Sequence, residues 1–171
     1  MDAEELRTLQ APLKDRYRAE PGAARITLSA HGELDSASIA CKVETGRALS
    51  VAGLHPATGG NGLELCSGDM LLEALVACAG VTLKAVATAL GITLRSGKVT
   101  AEGDLDFRGT LGVDKLAPVG FSDIRLKFDL DTDAEPDQLV TLLKLTERYC
   151  VVLQTLKRPP TILADLTRAA A

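Results

Sequence analysis

The chain has 171 residues, 25% of them charged, with 19 Lys or Arg against 23 Asp or Glu and a formal net charge of −4. Both signs are interspersed, which excludes the basic footprint that nucleic acid or an acidic membrane surface would need. An aromatic content of 3% with no Trp excludes a stacking platform for bases or sugars. The length suits one domain with a sizeable core, residues 23–171, preceded by a short N-terminal helical arm, residues 1–22.

The arm, AEELRTLQAPLKDRYRA, has helical character interrupted by Pro12 and ended by Pro21-Gly22. Its acidic, amphipathic start is unlike a signal peptide, and the longest apolar run, Val76 to Leu83, is shorter than a bilayer span. These features predict a soluble, cytoplasmic protein. Ile26, Leu28 and Ala30 then share one face, Ala37, Ile39, Cys41 and Val43 another, and Leu49 and Val51 a third. That period of two predicts half-buried strands, and Gly32, Asp35-Ser36 and Thr45-Gly46 supply turns, so 24–53 reads as an antiparallel meander. The loop HPATGGNG at 55–62 lacks the Gly-Lys-Ser/Thr ending of a phosphate-binding loop, and its glycines turn the chain.

The stretch CSGDMLLEALVACAGVTLKAVATALG, Cys66 to Gly91, dominates the chain. Only Asp69, Glu73 and Lys84 are charged between Asp69 and Leu90, which predicts one helix of about 33 Å, apolar nearly all round and therefore central and buried. Ser67 or Asp69 is the expected cap and Gly91 the left-handed stop. Val99, Ala101, Leu105 and Phe107 alternate next, then Ile124, Leu126, Phe128 and Leu130, predicting two strands joined by the open loop GTLGVDKLAPVG. Asp133 is the candidate N-cap of a second helix running from Pro136 to about Lys157. Leu139, Leu142, Leu143, Thr146, Tyr149, Cys150 and Leu153 form its apolar stripe. Pro159-Pro160 stops it, and TILADL reads as a final edge strand. The order predicts an α+β fold without βαβ units.

Four cysteines, Cys41, Cys66, Cys78 and Cys150, are widely spaced with no CxxC pair and only two His, which is no zinc-binding set. Cys41 falls on an apolar strand face as a packing residue, and Cys66 sits at the helix entry, as a packing residue or an alternative partner for the Cys78 thiol. Cys78 and Cys150 each face the interior from one of the two main helices. From the residues alone they are either two unrelated core thiols or a functional pair.

SGDMLLEALVACAGVTL, followed later by ERYCVVLQTL, resembles the two cysteine-centred landmarks of the OsmC/Ohr superfamily, the osmotically inducible and organic hydroperoxide resistance proteins. The similarity covers roughly residues 24–166. It implies antiparallel sheets packed around a long buried central helix in an intertwined homodimer. It also implies a thiol-dependent peroxidase acting on organic hydroperoxides in oxidative-stress defence. Cys78 maps onto the peroxidatic cysteine and Cys150 onto the resolving one. No metal or other cofactor is needed, and an external dithiol, typically lipoyl-type, is the reductant. Hydroperoxide-reducing members hold the thiolate with an Arg from the N-terminal strand region, for which Arg25 and Arg47 are the available residues. A Glu ten residues before the cysteine orients that Arg. Gly68 stands there in this chain, with Asp69 beside it as the possible replacement, although ideal helix geometry sets Asp69 about 180° around from Cys78. Two other readings stay open. One is an OsmC-like small-molecule-binding protein without efficient peroxidase activity. The other is a cysteine-nucleophile hydrolase or transferase, which needs a base beside Cys78 that neither His31 nor His55 can be placed to supply.

Overall fold

The computed structural model describes residues 2–5, 7, 8, 10, 11, 19, 31–34, 40–44, 49–112 and 114–168. The expected strand through Ile26, Leu28 and Ala30, and the residues Ala37 and Ile39, lie outside that set, as does the arm from Pro12 to Arg18. Within it, β1 (His31–Leu34), β2 (Ala40–Glu44) and β3 (Leu49–Gly53) are successive antiparallel neighbours, with Cys41 opposite Leu34 on one side and Ala52 on the other. The short β4 (Leu65–Cys66) joins β3 in parallel. A single 3-10 turn, Pro56–Thr58, opens the connection between them. There Gly60 lies so close to the Leu54 carbonyl oxygen that a Cβ would sit 1.7 Å from it, which explains why a glycine is needed in that turn.

The second sheet is the pair β5 (Ser96–Asp104) and β6 (Asp123–Asp131), antiparallel in full register from Ser96↔Asp131 to Asp104↔Asp123. Burial alternates without fault along β6: Ile124, Leu126, Phe128 and Leu130 point inward while Arg125, Lys127 and Asp129 face solvent. That outer face carries ion pairs of Arg125 with Asp104 and Glu102, Lys127 with Asp129, and Arg95 with Asp131 and Asp133. All are solvated and contribute little to stability. The strand expected to continue through Leu105 and Phe107 instead stops at Asp104. The Asp106 carboxylate accepts the Arg108 backbone N–H at 3.0 Å and starts a four-residue helical turn, α1 (Phe107–Thr110).

The long helix, numbered α2, spans Ser67–Leu90, about 36 Å at 1.5 Å per residue. Neither Ser67 nor Asp69 caps it: β4 runs straight into the helix, and Cys66 occupies the N-cap position without a side-chain hydrogen bond. Gly91 ends it as expected, at φ +70° with its N–H shared between the Ala87 and Thr88 carbonyls. Burial, however, is confined to one stripe, Leu75, Ala79, Leu83 and Ala87, at i, i+4 spacing. The opposite side is open in the single chain, with Ala74 and Ala77 exposed and Val81 73% exposed. By length and composition the helix could cross a bilayer, but its buried stripe packs against β5 and the two C-terminal helices, so here it is the core helix.

The expected second long helix is two. α3 (Pro136–Tyr149) starts from Glu135 rather than Asp133: Glu135 and Gln138 form a reciprocal capping box, and Asp133 is engaged with Arg95. α4 (Val151–Lys157) follows after a break at Cys150, whose ψ of 107° is extended. The core accordingly has two parts. Leu142 joins Leu83, Ala87 and Ile92, and Cys150 joins Leu75 and Ala79 under Val99, Ala101, Ile124 and Leu126. The edge strand expected at TILADL does not form. Pro159 and Pro160 offer no N–H and hold the chain in a solvated course away from both sheets, leaving Ile162 81% and Leu163 92% exposed.

Because Leu142 seals the contact between α3 and the long helix, Leu142→Ala should cost about 2–5 kcal/mol in urea unfolding. Leu116→Ala, at a residue 95% exposed, should stay within about 0.5 kcal/mol of the parent.

Candidate functional site

The break at Cys150 builds the site. In an uninterrupted helix the N–H groups of Val151, Val152 and Leu153 would be consumed by the carbonyls of Glu147, Arg148 and Tyr149. Cys150 keeps its own N–H on Thr146 O at 3.0 Å and gives its carbonyl to Gln154 N at 2.9 Å. Turning its ψ to the extended region frees the next three donors, as at any helix start. One released acceptor is recovered, since the Gln154 side-chain amide donates to the Glu147 carbonyl at 2.7 Å. No Pro or Gly marks the break in the sequence. Its only local signal is the β-branched pair Val151-Val152, whose stiff side chains lower helix propensity slightly.

The freed donors point at two sulfurs. Cys78, half-buried in the middle of α2, packs against fully buried Cys150, and both are free thiols. Burial alone pushes the Cys78 thiol up. Hydrogen bonds to its sulfur from the Val152 N–H, the Cys150 thiol, the Val151 N–H and the Thr82 hydroxyl outweigh burial together, so its pKa falls below the ordinary thiol value. Cys150 moves the other way. Burial raises it, the Leu153 N–H lowers it, and its hydrogen bond to Cys78 and the negative charge there raise it further. The pair titrates as a unit whose first proton leaves from Cys78 and whose second stays on Cys150. The more acidic thiol of the pair thus lies beside the less acidic one, packed among Leu75, Ala79, Val99, Ala101 and Leu156.

The other residues singled out from the sequence stand elsewhere. Asp69 is exposed and lines an open groove with Leu72, Glu73, Val76, Ala77 and Ala101 that contains no thiol. Arg25 and Arg47 lie outside the described residues. Among those described, Arg95, Arg108 and Arg125 are committed to carboxylates, and Arg148 lies over the Tyr149 ring at 5.7 Å. No charged side chain among the described residues contributes to the lowering at Cys78. Cys66 is at the helix entry, about 18 Å along the axis from Cys78 by helix rise. His55 accepts the Ala57 N–H at 3.0 Å and stacks on Phe107, which fixes it as a loop cap. Among the described residues no three His, Cys, Asp or Glu side chains converge as a metal ion would require. A groove of about 600 Å³, lined by neither cysteine, runs between β6, α3 and α4 along Leu83, Leu126, Phe128, Leu142 and Leu153, with Lys127, Glu147 and Lys157 also in its lining.

The family model described as OsmC-like protein matches residues 59–164, more than half of the chain and both cysteines. A search of curated proteins found no match. Among solved structures the chain is similar to an OsmC-like protein from Mycoplasma pneumoniae at a TM-score of 0.64 and 16% identity, covering 78% of this chain and 89% of that one. It is also similar to organic hydroperoxide resistance proteins from Elizabethkingia anophelis (TM-score 0.62, 14% identity, 80% and 91% covered) and Legionella pneumophila (TM-score 0.61, 14% identity, 78% and 93% covered). At these identities the likeness is one of fold.

The opposed shifts have a pH signature. Cys78, depressed in the folded state, contributes stability that is present above the ordinary thiol pKa and lost as pH falls through the depressed one. Cys150, raised, contributes stability present below the ordinary value and lost as pH rises through the raised one. Urea unfolding followed against pH should therefore show stability climbing toward the ordinary thiol pKa and declining beyond it. Replacing both cysteines by Ser should flatten that profile. By ultraviolet thiolate absorbance, Thr82→Val should move the Cys78 midpoint upward.

Proposed function

The chain belongs to the OsmC-like protein family, and from that premise we propose that it is a thiol peroxidase reducing organic hydroperoxides in oxidative-stress defence. The observation that carries this reading is the packing of Cys78 directly against buried Cys150 at the break between α3 and α4, both as free thiols. The Cys78 thiolate attacks the terminal oxygen of the hydroperoxide, the O–O bond breaks, and the alkoxide leaves and takes up a proton as the alcohol. Cys78 is now a sulfenic acid. Cys150 attacks its sulfur, its thiol proton leaves with the hydroxyl as water, and a Cys78–Cys150 disulfide forms. An external dithiol of lipoyl type reduces the disulfide by two exchange steps.

The surroundings favour an organic peroxide over a polar one, because the side chains packed around Cys78 and Cys150 are Leu, Ala, Val and Ile. Backbone N–H groups at Cys78 support the reading although Gly68 stands where hydroperoxide-reducing members carry the Glu that orients an Arg. The exposed apolar side of α2, with Ala77 and Val81, supports a homodimer in which a second copy covers it. A cytoplasmic setting suits free thiols.

The apolar groove between β6, α3 and α4 favours a second reading, a small-molecule-binding protein whose thiols are not fast. The reduced protein is treated with one equivalent of cumene hydroperoxide and followed by intact mass and peptide mapping over seconds. The peroxidase reading expects rapid loss of two hydrogens and a Cys78–Cys150 linked peptide. Cys78→Ser should abolish both, and Cys150→Ser should stop at one added oxygen on Cys78. Thiols that stay reduced, or oxidise at random at the rate of free cysteine, would leave the binding protein as the better account.

A further inference from the structure

Thr146 is 1% exposed, and its hydroxyl is the buried side-chain polar atom that finds no hydrogen-bond partner among the described residues. Threonine in a helix ordinarily folds its hydroxyl back onto the carbonyl one turn earlier. Thr88 does so to Lys84 at 2.8 Å and Thr141 to Asp137 at 3.0 Å. Thr146 does not. It lies between the two parts of the core, one turn after Leu142 and one turn before Cys150, all three on the buried face of α3. At i, i+4 its side chain and that of Cys150 are neighbours, with Cβ atoms about 5–6 Å apart on helix geometry, and the backbone ties the same turn through Cys150 N–H to Thr146 O at 3.0 Å. A buried polar group left idle in one state is explained most simply by a partner in another.

We propose that the Thr146 hydroxyl is a positioning group for the second step, donating a hydrogen bond to the Cys150 sulfur as it becomes the attacking thiolate. This role rests on the redox-pair reading of the same site. With both cysteines reduced, the Cys150 thiol donates to Cys78 and has no negative charge for Thr146 to serve. Once the Cys78 sulfur is bonded to a leaving group, Cys150 must release its proton to that group and attack. The charge that develops on its sulfur then lies in an apolar cluster, one helical turn from the Thr146 hydroxyl, which is unused among the described residues. Thr146 itself neither gains nor loses a proton. The Cys150–Cys78 bond forms, the bond from Cys78 to the leaving group breaks, and the Cys150 proton departs with that group.

The test uses the full chain with Cys41 and Cys66 replaced by Ser, so that only the pair reacts. Methyl methanethiolsulfonate places a methylthio group on Cys78, and attack by Cys150 then expels methanethiol, followed by intact mass without any peroxide. Thr146→Val keeps the shape and removes the hydroxyl, and Thr146→Ser keeps the hydroxyl. Thr146→Val should slow expulsion about tenfold, the usual cost of losing a hydrogen bond to a charged group, while methylthiolation of Cys78 proceeds at the parent rate and Thr146→Ser restores closure. Closure by Thr146→Val at the parent rate overturns the proposal. Slow closure in both variants also overturns it, since it assigns Thr146 to packing alone. With cumene hydroperoxide, Thr146→Val should accumulate sulfenic acid that a 1,3-dione traps. If the parent protein fails to react with the peroxide, the peroxidase reading falls, whereas the methanethiol measurement still decides the role of Thr146.

Discussion

One residue's ψ angle organises the chemistry. With Cys150 in the extended region, the chain exchanges the continuous hydrogen-bond ladder of one helix for two shorter helices and a set of free N–H groups. The arrangement is closed on nearly every side. Thr146 O, Gln154 N and the Gln154 amide take up what the break would otherwise orphan, and the donors that remain serve the two sulfurs. An unbroken helix would carry Cys150 on the same stripe and leave Cys78 with burial as the dominant influence, which raises a thiol pKa and makes it inert.

The long helix matters as the counterpart of that break. Its buried stripe alternates Leu75, Ala79, Leu83 and Ala87, and the two alanines let neighbouring backbone come close. Cys78 is one residue off the stripe, so it is held at the edge of the core, half-buried, rather than within it. That position reconciles two needs of a reactive thiol: enough enclosure for hydrogen bonds to count, and enough exposure for a small molecule to arrive.

Much of this was legible in the sequence, and the failures have specific causes. The period of two along Ile124, Leu126, Phe128 and Leu130 placed β6 correctly because one face is core and the other solvent. The apolar length of Ser67–Leu90 with Gly91 behind it placed the long helix. Its uniform apolarity read as burial on all sides, whereas only the stripe Leu75, Ala79, Leu83 and Ala87 is buried and Val81 is 73% exposed. Cys78 and Cys150 could be paired because both sit in motifs resembling one family, with Cys150 on an inward stripe and Cys78 beside one. The break at Cys150 could not be read, because it is made by tertiary packing and a Val-Val step rather than by Pro or Gly. Capping assignments at Ser67, Asp69 and Asp133 failed where a neighbour intervened: β4 runs into the helix, and Arg95 engages Asp133.

The source of activation also sets what this site is sensitive to. A thiolate held by an Arg–carboxylate couple depends on two flexible side chains and is weakened by salt where it is exposed. Here the lowering at Cys78 comes from two amides, one hydroxyl and one thiol, and the amides are fixed by backbone that the Cys150 junction positions. Such donors are short-range and already oriented, so they act on the sulfur without rearrangement and are little screened by mobile ions. The cost falls on fold integrity instead. Any change that straightens α3 into α4 withdraws the donors from Cys78 and shifts Cys150 relative to it in the same motion, so activation of one thiol and placement of the other cannot be tuned apart. The break accounts for the lowering at Cys78 only: at Cys150 burial is the larger influence and raises the thiol against the pull of the Leu153 N–H.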